Sequence, residues 1–173
     1  MSFLSRLFQP KAPPLSESWA SIAALAREPR WYRQHGVPDT LDGRFDMVAL
    51  VASLFMIRME EAGLTRETVT LTERFVDDME SSLREIGVGD MVVGKHVGNM
   101  VGALGGRIGA YREALKGPDP RGALAVALSR NIWRDGEGEG AGGAQELADA
   151  VIDLWRRIEA APMADLLSGR IGR

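Results

Sequence analysis

The chain has 173 residues, 45% of them hydrophobic, which suits one domain of ordinary size around one core. Its formal net charge of −3 and pI near 5.5 argue against the basic face that nucleic-acid binders carry. The absence of cysteine excludes disulfides, thiolate metal sites, iron–sulfur clusters and cysteine nucleophiles. With two histidines, His35 and His96, metal chemistry would rest mainly on carboxylates.

Residues 1–15 read as a flexible amphipathic arm. Phe3, Leu4, Leu7 and Phe8 stand with Arg6 and Lys11, a pattern suited to a membrane interface or a groove in a protein. Pro10, Pro13 and Pro14 disfavour a continuous helix there. The arm has no continuous apolar stretch and no small-residue cleavage pattern, so no secretory signal is expected.

Residues 16–173 are expected to form a single-domain, all-α bundle of about six to seven helices, because apolar positions recur at three and four and strand signals are nearly absent. Ser16 would cap a helix to about residue 27, with Trp19, Ile22 and Leu25 inward. Pro29 opens a short helical turn through Trp31 and Tyr32, and residues 36–43 read as a loop punctuated by Gly36 and Pro38. A long helix over 43–62 follows, with Asp42 as its N-cap and Gly63 as its stop. Its apolar run, residues 47–57, is too short to cross a membrane, which takes about 20 residues.

Thr65 or Thr68 would cap a helix over 66–86, with Thr72, Phe75, Val76, Met79, Leu83 and Ile86 as its inward stripe. Asp90 would cap the next, residues 91–116, which Gly117 and Pro118 stop. Asp119 and Pro120 read as N-cap and first helical residue of a helix to about residue 133. A Gly-rich acidic loop, 135–143, leads to a last long helix over 144–160 with Leu147, Val151, Leu154, Trp155 and Ile158 inward. Pro162 ends that helix, and the tail has room for one more turn.

Gly94, Gly98, Gly102 and Gly106 recur every four residues inside one helix, with Gly105 and Gly109 beside them. Each costs about 1 kcal/mol against alanine, so a compensating gain is required. Close packing against the 47–57 helix would supply it; so would a shallow groove for an apolar helix of another protein. Asp39, Asp42, Arg44 and Asp46 crowd one helix start, where capping and ion pairing to Arg44 are favoured over acid–base or cation chemistry. His96 reads as a packed or hydrogen-bonded structural histidine, and His35, next to Gly36, as the cap of a turn. Most of the tryptophans read as core, with Trp31 and Tyr32 the best surface-contact candidates. No catalytic triad, nucleotide fingerprint or metal-binding pattern emerges, which points away from an enzyme and from any cofactor.

The stretch WYRQHGVPDTLDGRFD, residues 31–46, resembles the ubiquinol–cytochrome c chaperone family. FVDDME (75–80), LREIGVGD (83–90), GRIGAY (106–111) and RNIW (130–133) extend the resemblance, so the family-like core spans about 31–133. It implies a helical, non-enzymatic chaperone that binds newly made cytochrome b near ribosome and membrane, promotes assembly of complex III and works with a small partner protein. The expected location is cytoplasmic, at the inner face of the membrane, or the matrix side in a eukaryote. The client-binding candidates are Tyr32, Gly36, Pro38, Asp39, Asp42, Arg44 and Phe45, then Arg84, Asp90, Arg107 and Tyr111. Two other readings stay open: a membrane-surface or lipid/quinone-binding module contacting membrane through Phe3, Leu4, Leu7 and Phe8, and a haem or metal factor using His96 and the carboxylates near Asp42.

Overall fold

A helix that is apolar around its whole circumference has to be surrounded by other elements. Every residue from 46 to 57 is buried in the computed structural model, which describes residues 15–133 and 143–171, apart from the side chains of Asp90 and Met91. The arm with its membrane-contact candidates, and all of the Gly-rich acidic loop but Gly143, lie outside the described residues.

The described residues form eight helices and no strand. They are α1 (Ser16–Ala26), α2 (Pro29–Arg33), α3 (Leu41–Glu61), α4 (Thr65–Glu85), α5 (Asp90–Lys116), α6 (Pro120–Ile132), α7 (Gly143–Ala160) and α8 (Met163–Leu167). Two of these, α2 and α8, are single turns of five residues, so the expected bundle of six to seven helices gains one short element. The all-α expectation holds. Helix α3 is the axis: α1, α4, α5, α6 and α7 all pack on it. Around it α4, α5, α6 and α7 each pack on the preceding helix in the chain, and α6 and α7 pair most closely.

The amphipathic helices follow their sequence stripes. In α7, Leu147, Val151, Leu154, Trp155 and Ile158 are all buried, as expected. In α4 the stripe is rotated: Thr68, Leu71, Phe75, Met79 and Leu83 face inward, while Ile86 is 53% exposed. Leu71 takes the place given to Thr72 because the helix packs on both α3 and α5, and their junction sets its rotation.

The helix starts hold most of the corrections. Helix α3 begins at Leu41, and its cap is Thr40, whose hydroxyl accepts from Gly43 N at 3.1 Å; Asp42 lies within the first turn. Helices α1, α4 and α5 are preceded by Leu15, Leu64 and Gly89 without side-chain caps, so Ser16, Thr65 and Thr68 do not cap, and Asp90 is the first residue of α5 instead of the one before it. The Thr68 hydroxyl instead donates back to Leu64 O at 3.0 Å. Asp119 caps α6 as expected, accepting from Gly122 N at 3.0 Å. Gly63 and Gly87 end α3 and α4 at φ 75 and 84, a backbone region that glycine adopts without strain.

The tryptophans are all buried. Trp31, expected as a surface contact, is fully enclosed, and its Nε1 donates to Leu25 O at 2.6 Å. His35 does not cap a turn; its half-buried ring tilts against Trp31 at 5.8 Å. Trp133 donates from Nε1 to Gly36 O at 3.1 Å, which ties the end of α6 to the loop before α3.

The glycine row of α5 is not packed against α3. A Cβ built at Gly94, Gly98, Gly102, Gly105, Gly106 or Gly109 would meet nothing within 4 Å. That overturns close packing as the reason for these glycines. The first half of α5 instead forms, with the end of α4, a hairpin held by a small separate cluster of Leu83, Val93 and Val97.

Candidate functional site

Helix α5 presents His96, Asn99, Met100, Ala103, Gly106, Arg107 and Ala110 at intervals of three and four, so they share one face. The start of α3 brings Asp42, Phe45, Asp46 and Ala49 opposite them, α6 adds Ala127, Arg130 and Asn131, and Phe75 reaches in from α4. Together they line a cavity of about 680 Å³. The space exists because Ala49, Ala103, Gly106, Ala110 and Ala127 meet there with almost no side chain to fill it.

The cavity has a polar floor. Arg107 Nη2 donates to Asp46 Oδ1 at 2.5 Å, with the two side chains 11% and 4% exposed. The same nitrogen reaches Asn131 O at 3.4 Å, and Asn131 Nδ2 donates to the Tyr111 hydroxyl at 3.1 Å. Three helices are thereby joined by one buried network. Removing either charge would strand its partner out of water, so the network is expensive to break. Burial pushes the Tyr111 hydroxyl up to about 12, so it stays protonated and serves as a fixed hydrogen-bonding group.

Of the residues singled out from sequence, Asp42, Phe45 and Arg107 line this cavity. Tyr111 is fully buried beneath it and offers no surface to a partner. Gly36, Pro38 and Asp39 sit on the neighbouring α2–α3 connection, with Tyr32 on α2 before it and Arg44 on α3 after it. There Arg44 Nε donates to Asp39 Oδ1 at 2.7 Å, and that bond holds the Asp39 carboxyl below its ordinary range. The Tyr32 hydroxyl donates to Ala26 O at 2.9 Å, and burial raises its pKa. Arg84 pairs with Glu80 at 3.8 Å on the exposed side of α4, away from the cavity. The Asp90 side chain is not among those described.

Sequence reasoning missed Asp46 as the partner of Arg107, and it missed Asn99, Met100, Ala103, Arg130 and Asn131. The available signal was the run of small residues recurring at helical spacing on α3, α5 and α6. His96 is exposed at the cavity mouth and not packed, which corrects the structural reading. Among the described residues no three His, Asp or Glu side chains gather as a metal site, and no helix is long and apolar enough to cross a membrane.

The geometry provides an elongated, mainly apolar recess with a fixed polar floor and mixed charges at its rim. No curated protein matches the chain. The fold is similar to that in the crystal structure of the Cbp3 homolog from Brucella abortus, with 34% identity, a TM-score of 0.77, and coverage of 91% of this chain and 87% of that one. The ubiquinol-cytochrome C chaperone family model matches residues 33–173, so the match runs to the end of the sequence and past the expected limit near residue 133. The chain belongs to the ubiquinol–cytochrome c chaperone family.

Proposed function

We propose that this protein is a non-enzymatic assembly chaperone for complex III, and that the cavity between α3, α5 and α6 holds an apolar helical segment of newly made cytochrome b. The observation that carries this reading is the shape of the recess. It follows α5 from His96 to Ala110, which at about 1.5 Å per residue is about 21 Å, nearly four helical turns. Phe45, Phe75 and Met100 supply apolar contact, and methionine adapts to varied partners. The glycine row beside the cavity leaves bare backbone where an incoming helix can approach closely. In this reading Asp42, His96, Asn99 and Arg130 meet the polar flanks of the segment at the rim, while Asp46 and Arg107 hold the floor. The chain would work at the inner face of the membrane, where its client is inserted.

The test is to fill the recess. A Cβ at Gly106 would meet nothing within 4 Å, and Ala103 is an exposed residue of the cavity lining, so the fold should survive Gly106→Leu and Ala103→Leu. A tagged protein captured from cells making cytochrome b should bring that client down, and the double variant should bring down at least about tenfold less, a loss of about 1.4 kcal/mol. Undiminished capture by a folded double variant would place the client elsewhere.

A second reading has one observation in its favour. The volume lies within the range of about 300–1,000 Å³ typical of small-molecule sites, so a lipid or quinone would fit. Native mass spectrometry of the protein drawn from membranes would reveal such a ligand as a discrete added mass.

A further inference from the structure

The buried apolar side chains fall into two clusters, and the boundary between them crosses α4 and α5. In α4, Phe75 and Met79 belong to the main core and Leu83 to the small cluster. In α5, Val93 and Val97 belong to the small cluster and Leu104 to the main core. Ser81 and Ser82 lie between Met79 and Leu83, and Gly98 and Gly102 lie between Val97 and Leu104. Serine and glycine pairs are among the few places where helices kink sharply. A Cβ at either glycine would meet nothing within 4 Å, so no neighbour braces the backbone there. The two halves of α5 are also held differently. Beyond Leu104, Arg107 pairs with Asp46, Arg112 with Glu60 and Lys116 with Glu61, which fastens that half to α3. Before it, no side chain from 92 to 102 makes a hydrogen bond or ion pair among the described residues, and only Val93 and Val97 are buried. Phe45 of α3, half-buried, packs against both clusters and joins them.

We infer that the end of the α4–α5 hairpin, residues 83–97, is a movable jaw over the cavity. It turns on Phe45 and bends α4 at Ser81 and Ser82 and α5 at Gly98 and Gly102. Hinges of this kind use a few small residues to absorb the change in backbone angles. The cavity lining spans the bend: His96 rides on the jaw, Asn99 and Met100 lie in the bend, and Arg107 and Ala110 stay with the fixed half. Movement of the jaw therefore widens or narrows the recess at its His96 end. An open jaw admits a segment already folded as a helix from the side, and closure lays His96, Asn99 and Met100 against it. The bend also accounts for glycines that weaken α5 and pack against nothing. A rigid helix would lose stability to them without return, whereas a hinge uses their freedom. What enters is the segment of the client reading, on which this assignment rests. The movement itself is measured without a client, so the two readings fail separately.

Because the chain has no cysteine, two introduced cysteines carry spin labels at defined sites in the full-length protein. Lys95→Cys on the jaw is paired with Val126→Cys on α6, a helix that lines the cavity from another side. Val69→Cys near the start of α4, paired with Val126→Cys, is the fixed control; all three positions are exposed. In double electron–electron resonance the jaw pair should give a distance distribution at least about twofold wider than the control pair. Gly98→Ala with Gly102→Ala, which stiffen α5 without entering occupied space, should narrow it to the control width. Ala103→Leu, which adds bulk within the cavity lining, should obstruct closure and move the population to longer distances. Equal widths for the two pairs in the parent protein would overturn the proposal. So would a width that survives the two alanine substitutions, which would place the movement outside α5. A distribution unchanged by Ala103→Leu would show that the jaw does not close on the cavity, and would overturn it as well.

Discussion

At the scale of single residues, the Asp46–Arg107 pair carries the most consequence. Both side chains are almost wholly out of water, and their hydrogen bonds reach α6. Arg107→Met should destabilise the protein by about 3 kcal/mol in urea unfolding, because it leaves a carboxylate buried without its counter-charge. Replacing both residues with apolar ones of similar volume should restore much of that loss. His35 supplies a pH dependence. Burial lowers its pKa below 6.5, Arg30 on α2 lowers it further, and Glu146 on α7 opposes them. The folded state therefore favours the neutral imidazole, and the unfolded chain takes up the proton first as pH falls. The stabilisation is fully present above about 6.5 and is lost as pH drops through the folded pKa. Melting temperature should fall between about pH 7.5 and about pH 5.5, and His35→Phe should flatten that slope. An unchanged slope would mean that His35 is not its source.

Among the elements, α5 is the one whose sequence works against its own stability. Glycines in a helix interior cost about 1 kcal/mol each, and here no neighbour occupies the space that they leave. Gly98→Ala and Gly102→Ala should therefore stabilise the protein, each by about 0.5–1 kcal/mol, measured by thermal or urea unfolding. If the bare face serves close approach of a client helix, the same variants should weaken cytochrome b capture while the melting temperature rises. Gly43 is the contrasting case. A Cβ there would collide with the Pro38 carbonyl, so Gly43→Ala should destabilise the start of α3. The two outcomes differ in sign because one set of glycines faces open space and the other faces backbone.

Over the whole molecule, stability is uneven. The main core surrounds α3, whereas the tip of the α4–α5 hairpin rests on the small Leu83, Val93 and Val97 cluster. Amide hydrogen exchange should be slowest in the middle of α3 and markedly faster over residues 92–102, where few apolar contacts oppose local opening. Uniform protection across both would contradict this division. Much of the plan was legible without coordinates. The helical period of α7, the Gly63 and Gly87 stops and the Asp119 cap depend on neighbours within a few residues, and all appear where expected. The family resemblance was legible for the same reason, as contiguous strings of residues. The rotation of α4, the enclosure of Trp31 and the meeting of Asp46 with Arg107 across sixty-one positions were not. Each depends on which helix faces which, and local period carries no record of that. The cavity belongs to the same class. Alanines and glycines on α3, α5 and α6 are unremarkable one helix at a time, and only their convergence in the packed bundle leaves a space that a partner could fill.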